Sequence, residues 1–123
     1  MSRPFLKMNG LGNDFVVVET RSQPFSPTAA EVRAIADRAA GVGCDQLIAI
    51  EGSTSADARM RIWNADGGEV ESCGNAARCV GWLLLKASGR ESATLETDGE
   101  VSVIRQTWAE PVEKGDLDLA RRG

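Results

Sequence analysis

The sequence contains no histidine. Within one chain, that absence excludes Ser-His-Asp and Cys-His nucleophile systems, histidine metal sites and histidine acid–base chemistry. Basic residues are in deficit: Lys plus Arg number 14 against 18 Asp plus Glu, for a formal net charge of -4. Proteins that neutralise nucleic-acid phosphates are usually basic, so nucleic acid is disfavoured as a partner. Long apolar runs are missing. None is longer than residues 82–85, far short of a membrane span, and no membrane partner is expected. Residues 1–8 mix Arg3, Pro4 and Lys7 with a few apolar residues, and no signal-peptide core follows. The three cysteines are an odd number without a Cys-x-x-Cys pair. A disulfide framework or zinc knuckle is therefore disfavoured, and reduced thiols in a cytoplasm are expected.

What remains is an ordinary globular mix. The 123 residues are 42% hydrophobic and 26% charged, enough for one domain with a real core. No internal repeat, low-complexity stretch or linker interrupts them. Residues 5–8 read as a short strand, residues 9–14 as a Gly/Asn/Asp loop and residues 15–19 as a buried β-branched strand. After a polar, proline-containing loop, Thr28 and Glu31 form a capping box that starts a helix running to about Ala40. Val32, Ile35, Ala36 and Ala39 form its buried face, and Gly41 and Gly43 end it. Residues 47–50 read as an apolar strand. Ala58, Met60 and Ile62 alternate with Arg59, Arg61 and Trp63, as in a strand with one buried face. Residues 64–68 signal a turn.

The segment after Cys73 stands out. Ala76, Ala77, Cys79, Val80, Trp82, Leu83, Leu84, Leu85 and Ala87 leave only Arg78 and Lys86 clearly polar, so the pattern predicts a helix buried on most sides. Gly89 closes it, and Asp98-Gly99 between Leu95 and Val101 signals a hairpin. The whole reads as an α/β domain, residues 1–109, whose mainly antiparallel sheet curls around the second helix. Residues 110–123 read as a charged tail, disordered, or as the start of a second domain.

Cys73 precedes that helix. Helix N-termini present unpaired N–H groups and positive partial charge, which favour a thiolate and can bind a carboxylate. Gly74 would let the backbone approach a ligand closely. The competing reading makes Cys73 a small core residue. Cys79, inside the helix, reads as core; Cys44 reads as a buried filler or a reactive loop thiol. Asn13, Gln46 and Asn64 each open or end a strand, where an amide can serve a ligand or simply a turn. Arg78 can pair with a carboxylate or sit on a charged surface.

Four motifs, residues 8–15 (Met-Asn-Gly-Leu-Gly-Asn-Asp-Phe), 41–46 (Gly-Val-Gly-Cys-Asp-Gln), 64–67 (Asn-Ala-Asp-Gly) and 73–79 (Cys-Gly-Asn-Ala-Ala-Arg-Cys), closely resemble the N-terminal half of diaminopimelate epimerases. The resemblance implies interconversion of LL- and meso-diaminopimelate, in lysine and peptidoglycan synthesis, without pyridoxal phosphate or metal. It implies two similar α/β halves, each a barrel-like sheet around a central helix, with a cysteine base and a cysteine acid facing each other across the substrate Cα. Cys73 matches the first of these. Asn13, Gln46, Asn64, Gly74 and Asn75 match substrate-contacting positions, and Cys44 and Cys79 match structural ones. Ala76 replaces the family's commoner glycine. By the same resemblance a C-terminal half with the second cysteine is missing, so the chain is expected to be inactive or nearly so by itself. Its completing partner is expected to be that half or a second copy of this chain. A non-catalytic binding domain that keeps the pocket is the alternative.

Overall fold

The structure is a computed structural model describing residues 2–10, 12–71, 74–98, 100–105 and 109–118. In chain order the elements are β1 (Ser2–Gly10), β2 (Asn13–Glu19), α1 (Ala29–Ala36), β3 (Gln46–Glu51), β4 (Ala58–Asn64), β5 (Glu69–Val70), α2 (Gly74–Ser88), β6 (Ser92–Thr97), β7 (Glu100–Arg105) and β8 (Glu110–Asp118). The strands form one sheet in the order β7-β6-β4-β3-β2-β1-β8. The short β5 shares one edge of β4 with β6. The pairs β2–β3 and β4–β6 are parallel, and the other pairs are antiparallel. This is the expected mixed, mainly antiparallel α/β architecture.

Each parallel pair needs a crossover. Helix α1 lies between β2 and β3 in sequence, and α2 between β4 and β6. Both crossovers step the same way along the sheet, but β4 is antiparallel to β3. Two crossovers of one hand therefore put their helices on opposite faces. The core divides accordingly. Phe15, Val17, Ile48, Ile50, Met60 and Ile62 pack with Ala76, Cys79, Val80 and Leu84 of α2. The alternate residues Val16, Val18, Leu47 and Ala49 pack with Val32, Ile35 and Ala36 of α1. Strands covered on both faces have few polar positions, which is why β2 and β3 read as continuous apolar runs.

Helix α2 thus covers one face of the sheet. It is buried along Ala76, Cys79, Val80, Gly81 and Leu84, while Trp82, Leu83 and Leu85 are half-buried and Ala87 is exposed. Gly81 is where it presses on β7: a Cβ there would fall 2.4 Å from Cγ2 of Ile104. Among the described residues no helix is long and apolar enough to cross a membrane.

Three expectations need correction. Helix α1 ends at Ala36, not near Ala40, and Ala39 is exposed. The Asp37 carboxylate accepts from the backbone N–H of Ala39 (2.8 Å) and Ala40 (3.0 Å), offering the chain a turn in place of another helical turn. Trp63, placed by alternation on a wet face, is 4% exposed. It packs edge-on to Phe25 from the loop before α1, with ring centroids 6.4 Å apart. Residues 110–118 are not a disordered tail. They are β8, paired with β1 from Ser2↔Asp118 to Asn9↔Glu110 around a bulge. Backbone hydrogen bonds along a free strand edge require little apolar patterning, and of this strand Leu117 supplies the buried side chain.

The capping box is formed as expected. Glu31 N–H donates to Thr28 Oγ1 (3.1 Å), and Thr28 N–H donates to the Glu31 carboxylate (2.8 Å). Thr28→Ala is expected to cost about 1 kcal/mol, read as a lower urea midpoint at unchanged slope.

Candidate functional site

Side chains alternate across a strand, so a residue two positions from a core residue shares its face. Asn13 stands two before Phe15, Gln46 two before Ile48, and Asn64 two after Ile62. Phe15, Ile48 and Ile62 all face α2. Register places the amides at one end of the sheet as well, because Gln46 pairs with Phe15 in β2 and with Asn64 in β4. The turn that delivers Asn13 is tight: Gly10 pairs with Asn13, and Gly12 takes φ +90°, open to glycine. The expected six-residue loop is thus mostly strand.

Helix α2 starts at this same end. Its first residue is Gly74, the residue after Cys73 in sequence. Its second, Asn75, donates from Nδ2 to Oδ1 of Asn13 at 2.6 Å. Gln46 donates from Nε2 to Oδ1 of Asn64 at 2.9 Å. The fold therefore brings Asn13 to Asn75 and Gln46 to Asn64, with Gly74 next to Asn75 in the chain. A Cβ on Gly74 would meet nothing within 4 Å. The glycine instead lines a cavity of about 210 Å³ shared with Met60, Ala77, Leu95, Thr97 and Glu100. Cys73 itself lies outside the described residues.

The other two cysteines are core. Cys44 and Cys79 are 2% and 1% exposed. Burial pushes their thiols up to about 11 and about 12, so both are protonated near neutral pH. Cys79 Sγ sits 3.4 Å from the sulfur of Met8. Neither is suited to act as a base.

A sequence model of the family described as diaminopimelate epimerase matches residues 5–118. The chain belongs to the diaminopimelate epimerase family. A diaminopimelate epimerase of Phenylobacterium zucineum is 71% identical over 97 residues, covering 79% of this chain and 35% of that protein. One of Sphingopyxis alaskensis is 63% identical over 86 residues, covering 70% of this chain and 32% of that protein. The chain thus spans about a third of the length of the curated relatives it matches. Among solved structures, a hydroxyproline epimerase from Agrobacterium vitis with bound trans-4-OH-L-proline aligns with a TM-score of 0.61 at 19% identity, over 85% of this chain and 38% of that one. A PhzF-family phenazine biosynthesis protein of Bacillus anthracis aligns with a TM-score of 0.64 at 22% identity, over 85% and 36%. These two likenesses show a shared fold.

In this diaminopimelate epimerase family member, a charged cluster backs the amides. Arg38 donates to both carboxylate oxygens of Asp14, at 2.8 and 2.9 Å, and to Asp45 at 3.1 Å. Lys7 Nζ lies 3.6 Å from Asp14. The hydrogen bonds from Arg38 hold the Asp14 carboxyl well below the usual carboxylate range, although burial works the other way. Motif reading singled out the neighbours of Asp14 and Asp45 but not these two; a carboxylate flanked by Cys44 and Gln46 was the available signal. A group with a depressed folded-state pKa adds stability above its unfolded value, near 3.9, and that stability is lost as pH falls through the folded value. Arg38→Ala is therefore expected to be less stable than the native chain at pH 7, with the gap narrowing as pH falls from about 4 toward 2. Melting temperatures across that range check it.

A larger hollow, about 880 Å³, lies along the C-terminal half of α2 between Trp82, Lys86, Arg90 and Arg105. It contains none of the motif residues.

Proposed function

We propose that this chain carries one side of the active site of a cofactor-independent epimerase that interconverts LL- and meso-diaminopimelate, with Cys73 as one of two cysteine acid–base groups. The observation that supports the reading is the contact of Asn13 with Asn75 on the first turn of α2, which follows Cys73 in sequence, with the Gln46–Asn64 pair at the same end of the sheet. Family membership supports the same reaction.

The chemistry suits such a place. Removing the α-proton of an amino acid without a cofactor requires a positioned base shielded from water. The Cys73 thiolate takes the proton from one face and becomes a thiol. A thiol on the opposite face delivers its own proton and becomes the thiolate, so charge and protons balance. Negative charge gathers on the α-carboxylate during the step. The first-turn N–H groups of α2, which have no intrahelical partner, are donors for it, and at Gly74 no side chain stands in the way. The four amides offer N–H donors to carboxylate and C=O acceptors to ammonium, both of which diaminopimelate carries at each end. Cys44 and Cys79 are almost wholly buried in the core, so the opposing acid comes from the part of the relatives that this chain does not span. The isolated chain is accordingly nearly inactive, and a cytoplasm keeps Cys73 reduced.

The test is a chimera in which this chain replaces the matching stretch of the Phenylobacterium zucineum relative. LL-to-meso conversion with deuterium entering Cα from D₂O is expected. A folded chimera that binds diaminopimelate without exchanging its α-hydrogen would make this a binding domain instead.

A further inference from the structure

We infer that Asp45 is a positioning residue that acts through Asn13 to fix the orientation of the Asn75 amide on the first turn of α2. The inference rests on the proposed function, in which those amides meet the substrate.

A side-chain amide can present either its oxygen or its NH₂ group to a neighbour, and two facing amides satisfy each other either way round. An ionised carboxylate removes the choice because it only accepts. Asn13 Nδ2 faces Asp45 Oδ2 at 3.4 Å, a long contact but one that only the NH₂ end can make. The Asn13 oxygen is then turned to Asn75, which answers with its own NH₂ at 2.6 Å. Among the described residues no side chain donates to the carbonyl end of Asn75, and a substrate ammonium is a fitting donor for it.

Asp45 is itself held from several sides. Its Oδ2 accepts from the backbone N–H of Asp14 at 3.0 Å, and its Oδ1 accepts from Arg38 at 3.1 Å. Its own N–H donates to the Asp14 carboxylate at 2.8 Å and to the Asp14 carbonyl at 3.0 Å. These bonds join the first residues of β2 to the turn before β3, so the carboxylate cannot rotate without breaking them. A run of fixed groups thus extends from Arg38 on the surface to the helix start. The Gln46–Asn64 pair lies outside this run, bonded amide to amide.

The experiment compares side-chain amide NMR spectra of the ¹⁵N-labelled chain with those of Asp45→Ala and Asp45→Asn. In Asp45→Ala the NH₂ signals of both Asn13 and Asn75 are expected to shift, while Asn64 stays in place. In Asp45→Asn the backbone N–H of Asp14 still calls for an oxygen at the place of Oδ2, so the acceptor facing Asn13 is kept and both signals are expected to return toward their native positions. In the chimera, Asp45→Ala is expected to raise KM for LL-diaminopimelate about tenfold with a smaller change in kcat, the loss of roughly one well-placed polar contact. An Asn75 signal that stays fixed when Asn13 moves would break the relay. Equal shifts at Asn64 would make Asp45 a general structural residue. An inactive native chimera would count against the functional reading alone, and the spectra would still decide the relay.

Discussion

Cys73→Ala is expected to remove LL-to-meso conversion by the chimera, lowering kcat on the order of 10²–10⁴-fold, the range for loss of a positioned acid–base group. Substrate binding is expected to change little, because the amides and the helix start remain. A variant that binds equally well but cannot exchange the α-hydrogen separates a lost base from a lost site. The same thiol is expected to react in the isolated chain. Cys44 and Cys79 are buried, and burial holds their thiols protonated, up to about 11 and about 12. The thiolate is the nucleophile, so iodoacetamide near pH 7.5 is expected to add one label, at Cys73, before any other cysteine reacts. Intact mass with peptide mapping reads this directly. Equal rates at all three cysteines would remove the argument for a stabilised thiolate beside α2.

The second large effect is on folding. Phe15 is fully buried on the α2 face of the sheet, paired with Met8 on one side and Gln46 on the other. Phe15→Ala is expected to cost about 3–5 kcal/mol through lost burial plus the cavity left behind. That is a large fraction of the roughly 5–15 kcal/mol that holds an ordinary domain folded. The urea midpoint is expected to fall steeply. Because Asn13 lies two residues before Phe15 on the same face, the cavity would open directly beneath the amide row. Phe15→Leu keeps most of the volume and is expected to lose much less. A Phe15→Ala midpoint within experimental error of native would show that the α2 face does not depend on this ring.

Local signals in the sequence were reliable where a few neighbouring residues decide the outcome. Thr28 and Glu31 announce a helix start because their bonds close within four residues. Gly89 closes α2 by donating its N–H to the Leu85 carbonyl at 2.8 Å with φ +69°. Asp98 at φ +48° marks the hairpin that joins Thr97 to Glu100. Signals that depend on distant cover were misread. Trp63 looks solvent-facing until Phe25 is known to lie over it, and α2 looks buried on most sides although Arg78, Lys86 and Ala87 are exposed. β8 carries almost no pattern because its partner is an edge of backbone rather than an apolar surface.

The sequence by itself determined the motifs, the amides at strand ends, the two helices and hence the family. Residue type and short-range spacing are sufficient for those. Only the tertiary structure decided that Asn13 meets Asn75 across 62 positions, that Gln46 meets Asn64, and that Asp45 stands behind Asn13. Those contacts follow from sheet order, register and the face on which each crossover helix lands, and no local stretch of chain encodes any of these three.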